Sequence, residues 1–226
     1  MYKGFNITVG IPVYNNYRGL RKCIISAEMG EVKPDLYFIF DNGGLYNNIL
    51  FKDEMDVSKI RLYRPGYNQG VAKAWNLIIR NTTDIRIICN DDIEFHTDTV
   101  KILVDNYDPR YVCYPSSIPI NNMFSCFIVS DYLHNLIGGF DENFFPAYFE
   151  DNTYAREIEL LKNKGVDVGF KGAPCSYEHI GSATLKGYSP GELSLHHKNF
   201  EKNKALYLQM WGGLPGEEIF LTKYNK

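Results

Sequence analysis

Two adjacent carboxylates follow an isoleucine-rich stretch near the middle of the chain. Residues 85–89 read IRIIC, and Asn90, Asp91 and Asp92 come directly after them. Such a run, without proline or glycine, predicts a buried strand. Ligands of an open α/β sheet bind beyond the carboxyl ends of its strands, and carboxylates there suit Mg²⁺ or Mn²⁺ held together with substrate phosphates. The motif therefore predicts a metal and phosphate site, and a solvated acidic turn is the alternative.

Two earlier strands are predicted to end in similar turns. Residues 5–13 form the first strand and are followed by Asn15 and Asn16, and the strand at 36–40 is followed by Asp41 and Asn42. Parallel strands bring their carboxyl ends to one edge of a sheet, so we expect these turns to cluster with Asp91 and Asp92. A plain Asx-type turn is the alternative explanation for Asp41 and Asn42.

The elements that position these turns alternate between strands and helices. A helix capped by Asn15 or Asn16 follows the first strand, and a strand at 60–63 precedes a helix at 69–81. The second helix has a continuous apolar face, formed by Val71, Ala74, Trp75, Ile78 and Ile79. This order over residues 1–95 predicts an α/β fold with a mostly parallel central sheet flanked by helices.

Beyond residue 95 the pattern is mixed. A helix is predicted at 97–106, strands at 111–114 and 124–129, and a helix from Glu150 or Asp151 to Gly165. Two last strands, at 166–170 and 174–177, lead to His179, and residues 192–211 are polar and weakly helical.

The aromatic and histidine side chains carry separate expectations. Trp75 is expected in the core because it lies on the apolar face of its helix, whereas Trp211 has an exposed context in which it would stack on a sugar ring. The remaining histidines are expected at the surface or at helix ends: His96, His134, His196 and His197.

Composition gives no support to some classes of protein. The formal net charge of −3 offers no basic surface for nucleic acid or an anionic membrane. The five cysteines are scattered and form no C-x-x-C pair, which predicts buried free thiols in a reducing, cytoplasmic setting. The amino-terminal apolar run is short, and no stretch approaches the roughly 18 apolar residues of a membrane span, so no signal peptide and no transmembrane segment are expected.

Six motifs occur in the order seen in family-2 glycosyltransferases of the GT-A fold. They are ITVGIPVYNN, DNG at 41–43, NQGVAKAWN at 68–76, NDD at 90–92, GGFDENFF at 138–145 and Glu150-Asp151. The chain resembles this family over residues 5–182. The resemblance implies one GT-A domain over residues 1–226, with a nucleotide-sugar-binding half at 1–95, an acceptor and catalytic half at 96–182, and a C-terminal helical segment at 183–226.

The resemblance also implies an activity. It is the inverting transfer of a sugar from a nucleotide diphosphate sugar to an acceptor hydroxyl, of a glycan by preference, with Mn²⁺ or Mg²⁺. A UDP-sugar is the default donor, and dTDP- and GDP-sugars stay open. The chemistry requires a cation to neutralise the leaving diphosphate and a carboxylate to take the proton of the attacking hydroxyl, a contribution of roughly 10² to 10⁴ in rate.

Site residues follow from the same resemblance. Asp92 is similar to the metal-binding last acid of the family's D-x-D motif, and His179 resembles a further metal-site residue from a late loop. Asp151 would be the general base, and Glu150 would bind an acceptor hydroxyl. The other positions expected at the nucleotide sugar are Pro12, Val13, Tyr14, Asp41, Asn42, Asn68, Gly70, Ala72, Asn76, Asn90 and Asp91.

Departures and alternatives accompany this interpretation. Asn90 stands where the D-x-D motif has an acid, and Trp75 stands where many relatives have Arg. Glu150 and Asp151 would also complement a helix dipole, and His179 would also serve as an ordinary hydrogen-bonded histidine. A catalytically inactive nucleotide-sugar- or glycan-binding module is the alternative function. A sugar-nucleotide pyrophosphorylase fits poorly, because PVYNNYRG lacks the Gly-rich, basic loop of that class.

Overall fold

The computed structural model describes residues 1–51, 54–117, 120–179, 181 and 183–226 of the chain. The strands of this part are β1 (Ile7–Val13), β2 (Leu36–Asp41), β3 (Ile60–Tyr63), β4 (Ile85–Cys89), β5 (Ile93–Phe95), β6 (Tyr111–Pro115), β7 (Cys126–Ile128), β8 (Gly169–Ala173) and β9 (Tyr177–His179). The helices are α1 (Tyr17–Glu28), α2 (Val71–Asn81), α3 (Thr99–Asp105), α4 (Asp131–Ile137), α5 (Glu150–Asn163), α6 (Ala183–Lys186) and α7 (Pro190–Trp211).

Seven of the described strands form one sheet, in the order β3-β2-β1-β4-β7-β6-β8. The neighbours β3, β2, β1 and β4 are parallel, and so are β6 and β8. Strand β7 runs antiparallel to both β4 and β6. The prediction of a mostly parallel central sheet flanked by helices is confirmed. Strands β5 and β9 pair separately as a small antiparallel sheet.

Apolar side chains cover both faces of the sheet. One cluster joins Ile7, Val9 and Ile11 of β1 to α1 and α3, and a second joins Phe38, Phe40 and their neighbours to α2, α4 and α5. All five residues of β4 are buried. A strand covered on both faces needs no polar alternation, which is why IRIIC reads as a continuous apolar run.

Several boundaries differ from the predicted ones. Helix α2 begins at Val71 rather than at residue 69, because Gly70 has φ 84° and ψ 172°, which are not helical values. Strands β8 and β9 begin three residues later than predicted. The reason is that Val166 closes the preceding helix, its N–H donating to the carbonyl of Leu161 at 3.1 Å, so β8 can begin only after that turn.

The C-terminal segment contains a 22-residue helix, α7, which is longer and better defined than the predicted one. Ser189 and Glu192 form a capping box at its start. Its far end packs into a third apolar cluster, here called the α7 cluster, made of Phe144, Phe149, Tyr207, Met210 and Trp211.

The predictions for the tryptophan and histidine side chains have different outcomes. Trp75 is buried, as predicted. The expected exposure of Trp211 is wrong: its side chain is 1% exposed, and its Nε1 donates to Thr153 Oγ1 at 3.4 Å. His134 lies in the last turn of α4, so the helix-end alternative of its prediction holds, but its side chain is buried beside the rings of Phe140 and Tyr154.

The cysteines lie in the interior of the protein. All five cysteines are free and buried, as predicted. Among the helices formed by the described residues, none combines the length and the hydrophobicity that a bilayer crossing requires.

Candidate functional site

A cavity of about 380 Å³ lies at the edge of the sheet where β1, β2 and β4 end. Most of the predicted site residues line it: Pro12, Val13, Tyr14, Asn42, Asn68, Gly70, Asn90, Asp91, Asp92, Glu150, Asp151 and His179. The expected clustering of strand-end turns is therefore observed for Asn42, Asp91 and Asp92. Asp41, Ala72 and Asn76 are not among the lining residues.

Asp92 and His179 form a pair at one side of the cavity. His179 Nε2 lies 3.2 Å from Asp92 Oδ1. The small antiparallel sheet creates this contact, because its register places His179 opposite Ile93, the residue after Asp92. The hydrogen bond to Asp92 raises the pKa of His179 against the opposing effect of burial.

The side-chain atoms of Asp92 and His179 are of the types that ligate divalent cations. A carboxylate oxygen and an imidazole nitrogen beside substrate phosphates fit Mn²⁺, a less strict cation than Mg²⁺, which is usually held by carboxylates, phosphates and water alone. Within the described ranges, no group of three His, Cys, Asp or Glu side chains is placed to hold a metal ion. Two protein ligands with phosphate oxygens of a bound nucleotide therefore fit the arrangement.

Asp91 lies beside this pair and is tied to the end of β1. Asn16, the cap of α1, donates from Nδ2 to Asp91 Oδ1 at 3.3 Å. Burial raises the pKa of Asp91 to about 7, and the charge of Asp92 adds to this increase against the hydrogen bond from Asn16. The carboxyl of Asp91 is thus held in a fixed orientation.

Glu150 and Asp151 lie at the start of α5 and also line the cavity. The side chain of Glu150 is buried, and its Oε2 has no hydrogen-bond partner among the described residues. Burial and the neighbouring charge of Asp151 raise the pKa of Glu150 well above its usual value. Burial also raises the pKa of Asp151. Carboxyl groups with raised pKa values hold a proton more readily than exposed ones, which suits proton transfer.

The backbone before these acids is strained. Tyr148 and Phe149 have φ values of 80° and 74°, in the left-handed region. Each such residue costs on the order of 1 to 3 kcal/mol and persists only where its surroundings hold it. The strained turn therefore depends on contacts from other elements.

Gly70 lies where the turn before α2 meets the loop that precedes α5. A Cβ at this position would lie 2.9 Å from the carbonyl oxygen of Pro146, and the N–H of Val71 donates to that oxygen at 2.8 Å. Asn42 holds the other side of the turn, accepting from the Gln69 N–H at 2.8 Å. Glycine is required by both the backbone angles and the close approach.

Asp41 lies behind the cavity lining and is fully buried. Its carboxylate accepts hydrogen bonds from the Tyr17 hydroxyl at 2.6 Å, Arg64 Nε at 2.9 Å, and the N–H groups of Gly44 and Tyr46 at 2.8 and 3.1 Å. Burial alone would raise its pKa, but these hydrogen bonds outweigh burial and lower it. In this structure Asp41 stabilises the loop after β2.

Asn76 and Ala72 have internal positions as well. Asn76 donates to the carbonyl of Phe140 and to Glu142 Oε1, both at 2.9 Å, and accepts from the Phe140 N–H. It therefore fixes the GGFDE loop against α2. Ala72 packs within the second apolar cluster.

Four rings form a wall of the cavity that the sequence did not reveal as a unit. We define the aromatic wall as Tyr14, Tyr148, Tyr188 and His196, all of which line the cavity. Ring centroids are 6.3 Å apart for Tyr14 and Tyr188, 6.1 Å for Tyr188 and His196, and 5.3 Å for Tyr148 and His196. His196 had been expected at a surface or helix end, and the high aromatic content was the only signal for this wall.

Comparisons with known proteins identify the family of the chain. A family model described as "Glycosyl transferase family 2" matches residues 8–158. A search of curated protein sequences finds no match.

Solved structures share the fold at low sequence identity. A mannosyltransferase, PcManGT from Pyrobaculum calidifontis, in complex with GDP-Man and Mn²⁺ has a TM-score of 0.55 and 15% identity, over 79% of this chain and 58% of that chain. GalNAc-T7 with UDP, GalNAc and Mn²⁺ has a TM-score of 0.65 and 11% identity, over 96% of this chain and 50% of that chain. Glucosyl-3-phosphoglycerate synthase from Mycobacterium tuberculosis was solved with Mn²⁺, UDP and glucosyl-3-phosphoglycerate. It has a TM-score of 0.54 and 15% identity, over 81% of this chain and 75% of that chain. The chain thus spans less than two thirds of the first two of these proteins.

Proposed function

The chain belongs to glycosyl transferase family 2, and we propose that it transfers a sugar from a nucleotide diphosphate sugar to an acceptor hydroxyl, with inversion at the anomeric carbon. The observation that carries this proposal is the shared cavity of Asp92, His179, Glu150 and Asp151 at the carboxyl ends of the parallel strands. UDP is the favoured nucleotide, since GalNAc-T7 and the mycobacterial synthase were solved with it.

The donor would lie along the strand ends. Pro12, Val13 and Tyr14 form one side of the cavity, and the turn at Asn68 and Gly70 faces it from α2. The N-terminal end of α2 carries a partial positive charge, which favours a diphosphate. These features support binding of the nucleotide diphosphate part in this half of the cavity.

Asp92 and His179 would hold Mn²⁺ beside the diphosphate. A bound cation of this kind supplies Lewis-acid stabilisation of the negative charge that develops on the leaving nucleoside diphosphate. The 3.2 Å contact between the two side chains supports their joint use as ligands.

Asp151 is the proposed general base. Its carboxylate would take the proton from the acceptor oxygen while that oxygen attacks the anomeric carbon from the side opposite the diphosphate. Glu150 is the weaker candidate for this role, because its carboxyl is the more buried of the two and burial raises its pKa well above the usual value, so that it gives up a proton less readily. A protonated Glu150 would instead donate a hydrogen bond to another acceptor hydroxyl.

A glycan is the proposed acceptor. The aromatic wall presents ring faces and hydroxyls at the part of the cavity lined by the C-terminal segment. Sugars have apolar faces that pack on aromatic rings, and their hydroxyls need partners such as the Tyr148 hydroxyl. The wall therefore supports a hydroxyl-rich ring as the acceptor.

The test uses purified protein with UDP-, GDP- and dTDP-sugars in the presence of Mn²⁺, and it measures release of the nucleoside diphosphate. The wild type is expected to release it slowly even without acceptor, and Asp92→Ala and Asp151→Ala are each expected to reduce the rate at least tenfold. Unchanged rates in both variants would reject the proposal. Calorimetric binding of a nucleotide without any release would favour the inactive binding module.

A further inference from the structure

We propose that Asn203, on α7, is a positioning residue for the catalytic acids and that α7 is therefore part of the active site. This inference rests on the proposed function, in which Asp151 is the base. Asn203 has no exposed surface. It lies outside residues 8–158, the part of the chain that the family model matches.

Asn203 contacts the turn that precedes the acids. Its Nδ2 donates to the carbonyl of Ala147 at 2.8 Å and to that of Phe145 at 3.3 Å. Ala147 stands three residues before Glu150 in the chain. A shift of its carbonyl would be passed directly to the start of α5.

The same turn is held from the opposite side by α2. The N–H of Val71 donates at 2.8 Å to the carbonyl of Pro146, between the two carbonyls that Asn203 binds. Three successive carbonyls are thus fixed alternately by α7 and by the donor-side end of α2. The catalytic turn is clamped between the donor region and the C-terminal helix.

The clamp explains how the strained turn persists. Tyr148 and Phe149 both have left-handed φ values and would relax if the turn were released. Phe149 packs against Phe200 and Tyr207 of α7, with ring centroids 5.5 and 5.4 Å apart. The ring contacts of Phe149 hold the turn against α7. The hydrogen bonds from Asn203 fix the orientation of the carbonyls of the turn.

The test compares Asn203→Ala and the near-isosteric Asn203→Asp, which lacks the two N–H donors, with wild type. The matched control is Thr82→Val, which removes another buried hydrogen bond from a side chain to a backbone carbonyl, that of Ile78 at 2.7 Å, at the far end of α2. Steady-state release of nucleoside diphosphate from a UDP-sugar with Mn²⁺ gives kcat and KM, and calorimetry gives the Kd for UDP.

Both Asn203 variants are expected to lower kcat roughly tenfold to hundredfold, as misplacement of a catalytic group does, with KM and the Kd for UDP within about twofold of wild type. Thr82→Val should leave kcat within about twofold. In an Asp151→Ala background, Asn203→Ala should cost less than about twofold, because a positioning residue acts through the group that it positions. An equal loss in that background, or a rise in KM with unchanged kcat, overturns the proposal.

Hydrogen exchange provides a readout that needs no activity. Amides of residues 145–151 are expected to exchange faster in both Asn203 variants than in Thr82→Val. If wild type releases no nucleoside diphosphate, the proposed function fails, and unchanged exchange at 145–151 would separately reject the role of Asn203. A further variant, Asn203→Leu, keeps the approximate side-chain volume and lacks the N–H donors without burying a carboxyl group, and it covers the case in which Asn203→Ala or Asn203→Asp does not fold.

Discussion

Glu150 and Asp151 are neighbours in the chain but have different surroundings, and this difference separates their proposed roles. Glu150 is 4% exposed, whereas Asp151 is partly exposed. Successive helical residues point about 100° apart, so only one acid of the pair can face a reacting atom squarely. The sequence predicted two acids at a helix start, but their burial depends on the packing of the preceding turn.

Replacing Asp151 with Asn removes the proton acceptor and keeps its size. We expect kcat to fall roughly 10²- to 10⁴-fold, with little change in the KM for the donor, because the base acts on the acceptor. Steady-state release of nucleoside diphosphate measures both constants. The control is Asp167→Asn, whose side chain is 63% exposed; a similar loss in that variant, or none in Asp151→Asn, would contradict the role.

The pH dependence of transfer follows from the same residue. Burial raises the pKa of Asp151, so the carboxylate becomes available as a base only above a pH higher than the usual value of about 3.9. The wild-type kcat is therefore expected to rise with pH through this raised pKa. A kcat profile from pH 4.5 to 8.5 checks this, and an acid limb that remained in Asp151→Asn would assign it to another group.

Glu150 is expected to destabilise the folded protein at neutral pH. Its folded pKa is raised, so between the unfolded value of about 4.3 and the folded value the folded state binds more protons than the unfolded state. Stability therefore falls as pH increases through this window. Glu150→Gln removes this loss, and its Tm should match wild type near pH 4 and exceed it increasingly toward pH 7.

Thermal unfolding of both proteins across this pH range measures the effect. Glu178→Gln, at a side chain that is 77% exposed, serves as the control and should show no such trend. A Tm difference between Glu150→Gln and wild type that did not vary with pH would show that burial of the charge is not its cause.

At the scale of elements, the ends of strands and helices bring the site together. Strand β5 was not predicted from the sequence, yet its pairing with β9 places His179 beside Asp92. No local pattern marks this pairing, because three-residue strands carry little signal. Likewise, Asn42 and Gly70 meet because β2 ends and α2 begins at the same edge of the sheet.

The turn between β3 and α2 supplies a test of element placement. Gly70→Ala would put a side chain into a backbone region essentially restricted to glycine, with a Cβ 2.9 Å from a carbonyl oxygen. We expect a loss of about 1 to 3 kcal/mol in the free energy of unfolding, measured by denaturant titration. Gly191→Ala, a helical position in α7 with open space around it, should be neutral or stabilising by up to about 1 kcal/mol; equal effects would contradict the argument.

At the scale of the whole molecule, an apolar core of its own joins the C-terminal segment to the loop before α5, in the proposed catalytic half. The α7 cluster connects α7 to the loop before α5, and Asn15 Nδ2 donates to the carbonyl of Thr184 at 3.2 Å beside the cavity. Apolar packing and a hydrogen bond thus connect residues on the two sides of the proposed division at residue 183.

This packing predicts the effect of removing a large side chain from the α7 cluster. Trp211→Ala should lower the free energy of unfolding by about 3 to 5 kcal/mol, within a single cooperative denaturant transition. Leu208→Ala, at a side chain 39% exposed on the same helix, should cost less than about 1 kcal/mol. A separate early transition in Trp211→Ala would show that α7 unfolds independently of the sheet.

The sequence by itself determined the parallel sheet, the polar turns at its carboxyl edge and the acids that line the cavity. These features are local, because an apolar run, its abrupt polar end and the start of a helix each depend on only a few consecutive residues. Only the tertiary structure decided which residues pair across the chain, such as Asp92 with His179 and Asn203 with the turn at 145–147, and which are withdrawn from the cavity, such as Asp41 and Trp211. Strand register and side-chain packing make those choices, and both depend on contacts between residues that are far apart in sequence.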